Sequence, residues 1–87
     1  MTAKEKSILK SRFQQRWGRA ICVQEWAKTG KNGWTKEGAK GEADIARGYM
    51  YAIGDALEAS MKQSKATEIV RGWADEVEEK HGHVLTL

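Results

Sequence analysis

Three arginines, Arg12, Arg16 and Arg19, recur at four- and three-residue steps near the start of this 87-residue chain. At about 100° per residue, that spacing sets them on one flank of a helix, near Ile8 and Trp26. Lys4, Lys6 and Lys10 add positive charge close by. Guanidiniums in a row can bridge successive phosphates, and an indole can stack on a base or on a guanidinium, which is the chemistry of nucleic-acid contact. The same row suits an acidic groove on a protein, and a merely solvated helix face accounts for it with no ligand at all.

Tryptophan is the second signal, with four in the chain. Trp17 and Trp73 fall on apolar helical stripes and belong to a core. Trp26 and Trp34 flank a glycine-rich stretch and, with Lys28, Lys31 and Lys36, form a second candidate contact region, since Trp and Arg are enriched at binding hot spots. Simple capping of one end of the fold is the competing explanation. The expected partner-binding set is therefore Lys10, Arg12, Arg16, Arg19, Trp26, Lys28, Lys31, Trp34 and Lys36.

Other polar groupings carry less chemistry. Asp75, Glu76, Glu78 and Glu79 crowd carboxylates toward a helix C-terminus, where the helix dipole disfavours them; they can meet a basic partner, although charge runs are usually solvated. His81-Gly82-His83 offers two imidazoles, but a structural metal site wants four ligands and the sequence supplies no convincing set. Cys22 is the sole cysteine, which excludes an internal disulfide, and neither histidine stands at a familiar catalytic spacing from it. There is no phosphate-binding glycine loop, nucleophile elbow or metal-binding helix signature. The expectation is a protein that is not an enzyme and uses no cofactor or metal.

The elements that must position these residues read as helices throughout. Thr2-Ala3-Lys4-Glu5 has the spacing of a capping box, and Leu9, Phe13, Trp17, Ala20, Ile21, Val23 and Ala27 follow at helical steps, predicting a first helix over 3–29. Thr29-Gly30-Lys31-Asn32-Gly33 ends it, because glycine and asparagine supply left-handed backbone. Thr35 caps a second helix over 36–62, whose stripe of Ala39, Ala43, Ala46, Met50, Ile53, Leu57 and Met61 is widened by Ile45, Tyr49, Ala52 and Ala56. That width predicts a central, organising helix with two neighbours, or one partly covered by a second copy of the chain in a homodimer. Ser64 reads as the start of a third helix over 65–80, with Ala66, Ile69, Val70, Trp73, Ala74 and Val77 inward and Arg71 paired to Glu68 and Asp75. Gly82 stops it, leaving a tail over 82–87 that either docks or lies free.

Composition bounds the rest. The length allows one domain over 1–87, and the absence of proline favours long helices. The predicted fold is an all-α, small three-helix bundle with a long N-terminal helix, a long central helix and a shorter C-terminal one. No apolar run is long enough for a membrane span, and Met1-Thr2-Ala3-Lys4-Glu5-Lys6 lacks an apolar leader, so the expected setting is cytoplasmic. Charge is two-ended: residues 1–40 hold ten Lys/Arg against three Asp/Glu, while residues 41–87 hold five against nine. Together these features predict a helical interaction module, an inhibitor or adaptor of the kind encoded by phages and mobile elements, acting on a larger protein or nucleoprotein complex that handles nucleic acid. Direct DNA or RNA binding through phosphates is the alternative.

Overall fold

The computed structural model describes residues Met1–Leu87. It is an all-α bundle of α1 (Ala3–Thr29), α2 (Lys36–Glu58) and α3 (Gln63–His81), with one 3-10 turn at Lys31–Gly33. Each helix packs on both others, and no helix is long and apolar enough to cross a membrane.

The first boundary follows from the residues at it. The Thr2 hydroxyl accepts the Glu5 backbone N–H at 3.1 Å. The reciprocal arm of a capping box differs here, because the Glu5 carboxylate accepts the Thr2 hydroxyl at 3.0 Å rather than a backbone N–H. Gly30, Asn32 and Gly33 all adopt left-handed backbone, which turns the chain within six residues so that α2 returns along α1. Thr35 then caps α2 by accepting the Gly38 N–H.

Around one aromatic cluster the core closes. Phe13 is fully buried, with its ring centroid 5.4 Å from that of Trp17 on its own helix and 6.4 Å from that of Trp73 on α3. Ala20, Ile21, Ala46, Ile53, Leu57, Ala66, Val70, Ala74 and Val77 complete it. Ala39, Ala43 and Ala46 on α2 are wholly buried, their small side chains letting its backbone approach closely.

Three expectations need correction. α2 ends at Glu58, not at 62, and Ala59–Lys62 form the link to α3. α3 starts at Gln63 with Lys62 as a cap residue that makes no side-chain bond, so Ser64 lies inside the helix and not at its start. The buried stripe of α2 is also narrower than expected, formed by Ala39, Ala43, Ala46, Ile53 and Leu57, although the helix does touch both neighbours. The residues that widened the α2 stripe, Ile45, Tyr49, Ala52 and Ala56, are exposed.

The tail docks against α1 and α3. Gln24, almost fully buried, donates from Nε2 to the Val84 carbonyl at 2.7 Å, while its Oε1 accepts the Thr86 N–H at 2.7 Å and the Leu87 N–H at 3.1 Å. Buried Glu78 accepts the Leu85 N–H at 3.0 Å and is neutralised by Arg71 at 3.1 Å. Arg71 also reaches Asp75 at 3.2 Å, but it forms no pair with Glu68. Leu85 packs on the core, whereas Val84 faces outward.

Candidate functional site

The arginine row lies at the seam of α1 and α2. Arg12, Gln15, Arg16 and Arg19 line a shallow groove of about 420 Å³ whose far wall is Tyr49 of α2. Arg16 holds its guanidinium 5.4 Å from the Tyr49 ring centroid, and Arg19 lies 5.8 Å from the ring of Trp34. Such cation–π contacts leave the hydrogen-bonding edges of a guanidinium free while limiting its motion.

The nine expected residues divide by what they touch. Lys10 pairs with Glu76 at 3.2 Å, Arg19 with Glu42 at 3.4 Å and Lys28 with Glu25 at 2.9 Å, so three cations are already matched within the chain. Arg12, Arg16, Lys31 and Lys36 have no acidic partner. Both loop indoles are half-buried. Lys31 sits over Trp26 at 5.9 Å, as Arg19 does over Trp34, so cations of the chain itself occupy the indole faces expected to stack on a partner. Trp34 lies on Gly38, where an added Cβ would stand 3.3 Å from its ring.

Residues absent from the expected set complete the surface. Ile45 and Tyr49 are 47% and 36% exposed, an apolar edge of α2 beside the arginines. Gly41 and Gly48 open the same face, for a Cβ at either would meet nothing within 4 Å. Sequence periodicity assigned Ile45 and Tyr49 to a broad core stripe; the detectable clue was a stripe wider than two neighbouring helices can cover.

Elsewhere several polar residues pair off. Hydrogen bonds from Gln14 at 2.8 Å and from Lys10 hold the Glu76 carboxyl below the ordinary glutamate range. Glu25 is lowered mainly by its bond from Lys28, against the opposing effect of partial burial, with smaller help from Gln24 and His83. Three of the four carboxylates at the end of α3 thus serve the fold: Glu76 ties α1 to α3, Glu78 holds the tail and Asp75 pairs with Arg71, while Glu79 has no side-chain partner. His81 and His83 diverge at Gly82. The first lies 3.8 Å from the Cys22 sulfur and the second 3.3 Å from Glu25, and no three His, Cys, Asp or Glu side chains converge as a metal would need.

What the fold and surface define is a helical bundle with a mixed cationic and apolar face. Comparison with protein-family models, curated proteins and solved structures returned no match.

Proposed function

We propose that this chain is a non-enzymatic protein–protein interaction module, an inhibitor or adaptor that docks the α1–α2 seam onto an acidic surface of a larger protein, one belonging to a nucleic-acid-handling complex. The observation that carries this reading is the juxtaposition of Arg12 and Arg16, which have no acidic partner, with exposed Tyr49, and with exposed Ile45 one helical turn before it. Isolated exposed apolar residues need no explanation, but an apolar edge next to two unmatched arginines, one of them held over Tyr49, has the composition of a hot spot.

Charge matching weighs against the alternative of direct nucleic-acid binding. Affinity for a phosphate backbone grows with the number of phosphates neutralised. Arg19, Lys10 and Lys28 already carry carboxylates of their own, and a phosphate would have to displace them. Apolar Ile45 would gain little from a duplex backbone, and much from a protein surface.

The test compares R12E/R16E and Y49A with the wild-type chain in capture from nuclease-treated lysate, alongside titration of labelled DNA and RNA at low and moderate salt. The proposal expects one captured protein, retained after nuclease and lost with either variant. Nuclease-sensitive capture, with nucleic-acid affinity falling steeply between low and moderate salt, would establish the alternative; capture indifferent to both variants would refute the assignment of this face.

A further inference from the structure

Cys22 and His81 stand 59 positions apart, yet the packing of α1 against α3 brings the Cys22 sulfur to 3.8 Å from His81 Nδ1. Cys22 is half-buried and free, and it lines a groove of about 650 Å³ between the two helices. Lys10, Arg19, Lys80 and His81 line that groove together with one acid, Glu76, so its fixed charges favour an anionic visitor. Arg19 and Lys10 are shared with Glu42 and Glu76, while Lys80 has no acidic partner.

Gly18 is part of the same arrangement. In the middle of a helix a glycine costs about 1 kcal/mol relative to alanine. Here it leaves room for the imidazole, since a Cβ at Gly18 would lie 3.1 Å from His81 Nε2 and 3.6 Å from Val77. His81 Nε2 thereby approaches α1 at Gly18, one turn from the cysteine.

A partly accessible thiol beside a proton acceptor and positive charge is the setting in which cysteines react selectively. We propose that Cys22 and His81 form a thiol-exchange site for small disulfides that carry carboxylates. Cys22 Sγ attacks one sulfur of the disulfide while its proton passes to His81 Nδ1. A bond forms between Sγ and that sulfur, the original S–S bond breaks, and the departing thiolate takes up the proton. Cys22 is oxidised to a mixed disulfide and the departing half is reduced to a thiol, so no further oxidant enters. Lys80, which has no acidic partner, holds a carboxylate of the incoming disulfide. This site is distinct from the α1–α2 seam, and its test is independent of any docking partner.

Because the chain has one cysteine, release of chromophore reports Cys22 alone. The folded protein and the urea-unfolded chain are each treated with dithiobis-nitrobenzoate, a dianion, and with neutral dithiodipyridine at neutral pH. The folded protein should react with the dianion at least about fivefold faster than the unfolded chain. K80E should slow the dianion while leaving the neutral disulfide unchanged, and H81Q should slow both. G18A, which keeps every reacting group and moves only the imidazole, should fall between H81Q and wild type. Intact mass should then show one glutathione adduct after exposure to oxidised glutathione, and none in C22S. Equal or slower reaction of the folded protein, or an H81Q rate matching wild type with its helix content intact, would overturn the proposal.

Discussion

Replacing Gln24 with alanine removes the side chain that seats the tail, and the size of the effect follows from what the tail gains and loses on docking. Four hydrogen bonds hold its backbone, three through Gln24 and one through Glu78, each worth about 1 kcal/mol net of solvation. Leu85 and Leu87, both half-buried, add about 1 kcal/mol each. Ordering residues 84–87 opposes this by about 1 kcal/mol per residue, which leaves docking favourable by about 2 kcal/mol. Loss of the three Gln24 bonds exceeds that margin. In Q24A the tail should therefore detach, and stability should fall by about 2 kcal/mol rather than the full 3, because the freed segment regains its entropy. Amide hydrogen exchange at Leu85, Thr86 and Leu87 measures the first effect, and urea unfolding the second. Q24E keeps the acceptor, cannot donate to the Val84 carbonyl and sets a carboxylate beside Glu25, so its loss should deepen as that carboxyl ionises. A Q24A protein within about 0.5 kcal/mol of wild type, with tail amides still protected, would refute this account.

F13A empties the centre of the aromatic cluster and should cost about 3–5 kcal/mol in urea unfolding, against less than about 0.5 kcal/mol for R12E on the exposed seam. G48A, where an added Cβ meets nothing, should raise stability by about 0.5–1 kcal/mol through helix propensity, read as a higher Tm; on the proposed docking face it should also weaken capture of the partner. Glu25 and Glu76 both titrate below the ordinary glutamate range, so their contribution to stability is complete above about pH 4.3 and is lost as pH falls through their lowered values. Thermal unfolding between pH 6 and pH 3 should show that loss, and it should shrink in K28A and Q14A, which remove the first cause of each shift.

The sequence disclosed those parts of the fold that local chemistry dictates. α1 ends where Thr2 and Gly30 require it to, and its inward residues recur at the helical period. The α2–α3 boundary was not legible, because Ala59-Ser60-Met61-Lys62 contains neither glycine nor proline and the start of α3 has no side-chain cap; Ser64 looked like a cap and is not one. Tail docking left no periodic trace, since an extended segment held by side-chain amides has none. Gln24 was the clue, as it shares a helical face with Phe13, Trp17 and Ala20, and a polar side chain there must find a partner. In the candidate site, the unmatched state of Arg12 and Arg16 could not be read from spacing, because the acids that neutralise Lys10, Arg19 and Lys28 come from three different helices. The proximity of Cys22 and His81 depends on the register between α1 and α3, which single-helix patterns do not encode.

The connections between helices have a kinetic consequence. Six residues join α1 to α2 and four join α2 to α3, so the main contacts close short loops between antiparallel neighbours, the topology that folds fastest. With no proline anywhere, no peptide bond has to wait tens of seconds for isomerisation. After dilution from denaturant, tryptophan fluorescence should recover in a single rapid exponential, and the bundle should reassemble as often as it is opened.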